Sequence, residues 1–389
     1  MQIKEKNPAQ VHVFVAMSGG VDSSVATALL KEQGYQVTGV YMKNWSGDSF
    51  GIQTDCPWEQ DQKDVETVCK ILDIPFRSFN FEQEYHEKVI KYFLDEIAAG
   101  RTPNPDIMCN KEIKFSLFLD KARSLGADFI ATGHYARVKY NKKSQEYELL
   151  KGKDFNKDQS YFLHILNQEQ LGRTLFPLGD LRKTEVRRLA EKFKLPVAQK
   201  PDSQGICFIG EINVSQFLRA NFPVKTGLII DVDTGKEVGI HDGVAFYTIG
   251  QREGLKIGGA GLPYYSAGKD KLRNILFAAK GVNNPALFKK EVVYSKLHII
   301  SGNLTKNVEK PEQLNAMIRY RQEAAPGKLM IKDRKFVFAK PQRAVAEGQS
   351  IVFYWGEKCL GGAVIENYFN LNELSDSSKV FAEAALAAR

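Results

Sequence analysis

The chain has 389 residues, 43% of them hydrophobic and 11% aromatic, with 54 Lys and Arg against 46 Asp and Glu for a formal charge of +8. That length exceeds one ordinary core and the composition excludes a disordered chain, so two or three domains are expected, and the basic balance suits a polyanionic partner. Five cysteines with no CxxC spacing exclude a zinc ribbon or disulfide scaffold, and a polar start with no run of about 18 apolar residues leaves no signal or membrane segment, so a reducing, cytoplasmic location is expected.

In chain order, Val11–Met17 reads as a short apolar strand, Ser23–Gln33 as a helix ended by Gly34, and Gln36–Met42 as a second strand. Asp61–Leu72 follows as a helix with Val65, Val68, Cys69 and Leu72 on one face, and Pro75–Asn80 as a third strand. Phe81–Ala99 and Lys111–Leu125 are helical, and Asp128–Thr132 is a fourth strand. Strand–helix alternation of this kind builds an α/β fold, a parallel sheet with helices on both faces and ligands at the carboxyl ends of its strands. Thr184–Lys194 predicts one more helix. After Phe222 the texture changes to Gly227–Lys236 as a strand into a turn, Val244–Ile249 as a strand, and Gly258–Gly261 as a flexible link. Beyond Val292, short strands are predicted at Ala316–Arg321, Lys328–Ile331, Lys335–Ala339, Gln349–Trp355 and Gly361–Glu366, the spacing of a small β-barrel. The expected division is a catalytic domain over 1–219, a small central β-rich domain over 220–290, a C-terminal β-barrel over 291–372 and a tail over 373–389.

Ser18-Gly-Gly-Val-Asp-Ser-Ser24 between the first strand and helix is the most informative stretch. Its glycines let successive amides converge on an anion, and the helix adds its orphan N–H groups and positive dipole end. Ser18, Ser23 and Ser24 supply hydroxyls, and Asp22 is expected to cap the helix. The stretch lacks the Walker lysine and the GxGxxG spacing. SGGxDS in this context is instead the signature of pyrophosphate-loop ATPases, which cleave ATP between its α- and β-phosphates. Met42 and Gly133, at two strand tips, would then flank the adenosine.

Thr102-Pro-Asn-Pro-Asp-Ile-Met-Cys-Asn110 reads as a stiff turn carrying Asp106 and Cys109 just before a helix, where the dipole would favour a thiolate and Asp106 could serve as acid or base. Cys207 lies in a second segment of turn residues, Pro201–Gly210. Cys69 is expected to be structural. Cys56 looks exposed, and Cys359 carries no assignment.

Together these residues resemble the bacterial tRNA-specific 2-thiouridylases. The resemblance runs, in order, through Ala16–Ser24, Thr102–Cys109, Ala131–Arg137, Lys157–Leu163, Asp202–Ile209, Thr248–Arg252 and Ile318–Arg321. It implies ATP, with Mg²⁺, on Ala16, Met17, Ser18, Gly19, Gly20, Val21, Asp22 and Ser23, with Met42 and Gly133 near the adenosine. It implies adenylation of O2 of uridine 34 in the tRNA anticodon, and persulfide sulfur carried on Cys207. Cys109 would be the partner that frees sulfide or resolves the persulfide as a disulfide, and Asp106 would handle the base proton. The tRNA contacts it implies are Asn104, Pro105, Asp106, His134, Lys157, Asp158, Gln159, Arg319, Tyr320 and Gln349. The sulfur source would be a persulfide donor such as a cysteine desulfurase or a sulfur-relay protein. A pyrophosphate-loop enzyme adenylating a small molecule is the rival, and it needs no paired thiols. A 4-thiouridine synthase would be expected to carry an RNA-binding module ahead of the loop. A nucleotide-binding regulator would not consume ATP in response to tRNA.

Overall fold

A computed structural model describes residues 7–46, 58–201, 214–258, 261–301 and 314–366. The chain enters a parallel sheet through β1 (His12–Met17), passes along α1 (Val21–Glu32), and returns in β2 (Gln36–Lys43). Helix α2 (Trp58–Ile71) leads to β3 (Phe76–Asn80). Helix α3 runs Glu82–Tyr85, widens to π winding over His86–Ile90, and resumes over Lys91–Ala98. Helix α4 has the same build: Pro105–Met108, a π-wound stretch Cys109–Leu117, then Phe118–Ser124. Strand β4 (Phe129–Thr132) follows, then a hairpin of β5 (Ala136–Asn141) and β6 (Glu146–Lys151). Two short helices, α5 (Ser160–Leu163) and α6 (Gln168–Gly172), precede β7 (Thr174–Leu175) and α7 (Lys183–Lys192).

The parallel sheet has the order β3-β2-β1-β4-β7. β1 is central because both its faces are apolar: Val13, Val15 and Met17 enter one core with α1, α2 and α7, whereas Phe14 and Ala16 enter the other with α3 and α4. A strand buried on both sides reads as a continuous apolar run. The chain turns to opposite sides after β1 and before β4, so the switch point of the sheet, where ligands bind in such folds, lies at the tips of these two neighbours.

Helix α8 (Val214–Asn221) leads into a four-stranded sheet of β8 (Gly227–Asp231), β9 (Glu237–His241), β10 (Tyr264–Asp270) and β11 (Ile275–Lys280), in the order β10-β11-β8-β9. Val244–Phe246, expected within a strand, is a 3-10 turn instead, entered through Gly243 at φ 140°. The expected link at Gly258–Gly261 falls partly outside the described residues. The last six strands are β12 (Phe288–Ile299), β13 (Leu314–Met317), β14 (Ala325–Met330), β15 (Lys335–Arg343), β16 (Ser350–Trp355) and β17 (Lys358–Ile365). They close a ring, β12-β15-β14-β13-β16-β17 and back to β12, around Val292, Phe336, Phe338, Ile351 and Phe353.

The β5–β6 hairpin was not legible in the sequence, and it joins the two halves of the molecule. Its β6 pairs with barrel strand β17, Leu149 opposite Cys359. Leu149, Tyr161, Tyr354 and Cys359 belong to the same apolar core as Phe14 and Met42 of the parallel sheet. Among the described residues no helix is long and apolar enough to cross a membrane.

Candidate active site

β1 ends at Met17 and α1 begins at Val21, so Ser18-Gly19-Gly20 makes the entire turn. Gly19 has φ +74°, and a Cβ there would lie 2.8 Å from the Asp61 carbonyl oxygen, so the turn is seated on the first turns of α2. Ser23 braces it from inside: its hydroxyl accepts from the Ser18 N–H at 3.2 Å and donates to the Gly20 carbonyl at 3.3 Å. Asp22 does not cap α1. The N-cap is Gly20, which has no side chain to offer, so first-turn amides of α1 stay available to an anion. Asp22 instead lies one residue inside the helix, where Lys183 of α7 donates to both its oxygens at 2.7 and 2.8 Å and the Tyr135 hydroxyl donates at 2.7 Å.

The other expected nucleotide residues gather at the same strand ends. Ala16 pairs with Val40 on one side and Thr132 on the other, which brings the ends of β2 and β4 beside the turn. Met42 is buried, its side chain packed in the core below. Gly133 is glycine for a closer reason: a Cβ would come 2.7 Å from the Ser23 amide nitrogen. His134 is buried, with Nδ1 2.7 Å from the Thr132 hydroxyl. Desolvation, with Lys114 nearby, holds this imidazole neutral, well below its ordinary pKa. Its ring packs on Phe115 of α4, centroids 5.8 Å apart.

That contact ties α4 to the end of the sheet that carries the Ser-Gly-Gly turn. The helix starts earlier than the two prolines imply: Asn104 is its N-cap, accepting from the Ile107 N–H at 3.2 Å, and Pro105 takes the first position, where its missing N–H costs nothing. Cys109 therefore lies within the helix, as the first residue of its π-wound stretch, and is fully buried rather than set in a turn before a helix. It stands six residues before Phe115 in the same π-wound stretch. Asp106 is half-buried in the first turn.

Cys207 and Cys56 lie outside the described residues. The chain on either side of 202–213 is anchored at the site. Before it, the Lys200 ammonium pairs with Asp61 at 2.7 Å and Asp64 at 2.6 Å, on the helix that seats Gly19. After it, Phe217 of α8 packs on Trp45, just past the end of β2, and on Phe93 of α3. The two remaining cysteines are core residues. Burial pushes the thiols of Cys69 and Cys359 up to about 12, which keeps both protonated.

The residues expected to meet RNA divide into two kinds. Lys157 lies close to Tyr320, whose ring packs on Phe162 at 4.5 Å and under Arg321 at 5.2 Å. Asp158 and Gln159 are committed to the fold: Asp158 accepts from the Gly152 and Ser160 amides at 2.9 and 3.0 Å, and Gln159 accepts from the Tyr135 amide at 3.0 Å. Arg319 joins the last two domains, donating to the carbonyls of Ile249 and Ala344. Gln349 donates to the carbonyls of Thr102 at 2.8 Å and Pro103 at 3.1 Å, directly before Asn104. Lys183 and Lys200 are the site residues that sequence reasoning missed. Their partners lie more than 130 positions away, and no local pattern marks them.

A parallel sheet with a Ser-Gly-Gly turn at its switch point and a barrel behind it defines a HUP-type nucleotide-binding protein with appended β domains. Family models agree in the same order: a tRNA methyl transferase HUP domain over residues 11–211, a tRNA methyl transferase PRC-barrel domain over 215–280, and an aminomethyltransferase beta-barrel domain over 289–365. The chain is 48% identical over 375 residues to the tRNA-specific 2-thiouridylase MnmA of Bacillus pumilus, covering 94% of this chain and 97% of that one. It is also 48% identical to the protein of that name from Bacillus cytotoxicus, over 95% of this chain and 99% of the other. The chain belongs to the tRNA-specific 2-thiouridylase family. Among solved structures, a 4-thiouridine synthetase in complex with RNA and bound ATP matches at 14% identity and a TM-score of 0.31, over 54% of this chain and 50% of that one.

Proposed function

We propose that this protein is an ATP-dependent tRNA uridine 2-sulfurtransferase that converts uridine 34 of the anticodon to 2-thiouridine. ATP lies with its phosphates on the turn Ala16–Ser23 and its adenosine by Met42 and Gly133. The uracil O2 attacks the α-phosphate, pyrophosphate departs, and the oxygen, a poor leaving group, becomes part of AMP. The anionic phosphates are met by first-turn amides of α1, and Lys183 offsets the charge of Asp22 beside them. Mg²⁺ arrives with the nucleotide, held chiefly by its phosphates.

Sulfur is carried as a persulfide on Cys207, loaded by a separate persulfide donor. The Cys109 thiolate attacks the Cys207 sulfur of the persulfide, so that the S–S bond to the outer sulfur breaks as the Cys109–Cys207 disulfide forms. The outer sulfur leaves either as sulfide, which then displaces AMP from C2, or, where it has already displaced AMP, as the sulfur of 2-thiouridine. An external thiol reductant reopens the disulfide. Asp106, one turn before Cys109, moves the base proton, and Asn104–Asp106 meet the flipped uracil. An anticodon-loop uridine is unpaired, so extruding it costs little. Lys157 and Tyr320 supply a cation and a stacking face for the RNA around it. The division of labour follows the expected domains, with chemistry in 1–219 and RNA contact in 291–372.

The observation that carries this reading is the anchoring of both chemistry-bearing segments to one end of the sheet: α4 through Phe115 on His134, and the flanks of 202–213 through Lys200 and Phe217. Methyl transfer, named in the family-model descriptions, has no use for an anion-cradling turn. A small-molecule adenylating enzyme has none for Cys109 at this position. The test is mass spectrometry of tRNA nucleosides after incubation with ATP and a sulfide source. The sulfur-for-oxygen mass gain on uridine 34 is expected, and its absence with intact protein would overturn the proposal.

A further inference from the structure

The segment that delivers Asn104, Asp106 and Cys109 is fixed in part from outside its own domain. Between α3 and α4 the chain turns at Gly100, φ +70°. The first two residues of 100–103 are also held locally, the Gly100 and Arg101 amides donating to the carbonyls of Ile97 and Glu96 and the Arg101 guanidinium pairing with the Glu96 carboxylate. Thr102 and Pro103, by contrast, are bonded to the two C-terminal domains. Lys269 of β10 donates to the Gly100 carbonyl at 3.1 Å. The Thr102 amide donates to the Glu347 carbonyl at 2.7 Å, and its hydroxyl reaches that of Thr248 at 3.5 Å. Gly348, at φ +85°, lets the barrel backbone approach so closely that a Cβ there would lie 3.1 Å from the Thr102 nitrogen. Gln349 then donates its carboxamide N–H groups to the Thr102 and Pro103 carbonyls, the last two before the N-cap of α4. Proline supplies no N–H, so Pro103 and Pro105 leave this turn few backbone bonds of its own, and its position depends on donors brought to it.

We propose that Gln349 is a positioning residue for the thiolation reaction: from the barrel, it sets where the start of α4 places Asp106 and Cys109. The proposal rests on the sulfurtransferase reading above and differs from the tRNA contact that the family resemblance implies for this residue. The same loop, 344–349, is tied to the central domain through Arg319, which bridges Ala344 and Ile249. The start of α4 is thereby linked to both C-terminal domains.

The two roles separate kinetically. A residue that contacts RNA contributes to KM for tRNA, whereas one that sets the placement of reacting groups contributes to kcat. Gln349→Leu keeps the approximate shape and removes both donors; because a misplacement of about 1 Å can cost 10²-fold, kcat for thiolation should fall at least roughly tenfold while KM for tRNA and for ATP stay within about twofold. Gln349→Lys restores N–H donors at similar reach and should recover most of kcat; Gln349→Glu, with acceptors facing two carbonyls, should not. Thermal melting and ATP titration of each variant report whether the fold and nucleotide site persist. If the Leu variant does not fold, the Lys variant decides: recovered turnover supports positioning, and lost turnover in a folded protein overturns it. A Leu variant with unchanged kcat and a raised KM for tRNA overturns the proposal in favour of an RNA contact. A wild-type protein that leaves tRNA unthiolated overturns the proposed function instead, so the two failures are distinct.

Discussion

The Lys183 ammonium lies 2.7 and 2.8 Å from the two carboxylate oxygens of Asp22, one residue inside the helix that follows the phosphate turn. The pair is only partly exposed, 14% for Lys183 and 31% for Asp22. Its effect is to present a nearly neutral surface where the sequence alone shows a carboxylate beside the expected phosphates.

Removing Lys183 should uncover that carboxylate. At an effective dielectric near 20, two unit charges about 4 Å apart interact by about 4 kcal/mol, so Lys183→Met should weaken ATP binding by at least roughly tenfold. Asp22→Asn together with Lys183→Met should bind ATP more tightly than Lys183→Met alone. Calorimetric titration checks the order, and equal affinities would show that the pair acts on the fold alone.

Gly133 and Gly19 should not tolerate alanine. A Cβ at Gly133 meets the Ser23 amide nitrogen at 2.7 Å, and one at Gly19 meets the Asp61 carbonyl at 2.8 Å on a backbone with positive φ. Each neighbour is backbone and cannot rotate away, so each change should cost about 1–3 kcal/mol and impair ATP binding. Gly126→Ala, where nothing lies within 4 Å, controls for the cost of positive φ without the clash. Urea midpoints of the three variants provide the comparison.

Cys109→Ser should abolish thiolation and leave adenylation running. The thiol is fully buried, so a hydroxyl of similar size keeps the helix but loses the sulfur chemistry. The measurement is tRNA-dependent exchange of labelled pyrophosphate into ATP, scored beside thiouridine formation. Loss of both activities in a folded variant would place Cys109 in the adenylation step.

Stability should fall as the solution is acidified below about pH 6.5, the ordinary value for histidine. His134 is held well below that value by burial, and His164 is pushed down to about 4 by burial, partly opposed by its bond to the Tyr161 carbonyl. For both, the unfolded chain binds a proton that the folded protein refuses. The unfolded state therefore gains between the unfolded and folded pKa values, by up to roughly 1.4 kcal/mol per pH unit for each histidine. For His164 that window runs from about 6.5 to about 4. His164→Asn, which keeps a donor near Nδ1, should flatten the dependence of the urea midpoint on pH across that window. An unchanged slope would exclude His164 as a source.

The parts of this fold that were legible in the sequence are those whose cause is local. β1 and β2 are apolar runs because their two faces are buried, and α2 shows Val65, Val68 and Cys69 at helical spacing on its buried face. The phosphate turn is written in consecutive residues. β5 and β6 were missed although Ala136, Val138 and Tyr140 alternate with Arg137, Lys139 and Asn141, because both strands are short, only Ala136 and Leu149 in them are buried, and their partner strand lies some two hundred residues on. The start of α4 was misplaced although Asn104-Pro105 is a helix-opening pair, since two prolines within three residues also describe an extended turn. Lys183, Lys200 and the grip of Gln349 on Thr102 are products of tertiary approach and leave no trace in local pattern.

The β5–β6 hairpin leaves the parallel sheet after β4, pairs with the barrel, and only then does the chain return to lay down β7 at the sheet edge. Neither half is thus a separable module. A fragment ending after α8 would expose the edge of β6 and the apolar side chains of Leu149 and Tyr161 that the barrel covers, an invitation to aggregation. Ribosomal synthesis must reach the final strands before the first domain can finish its own surface.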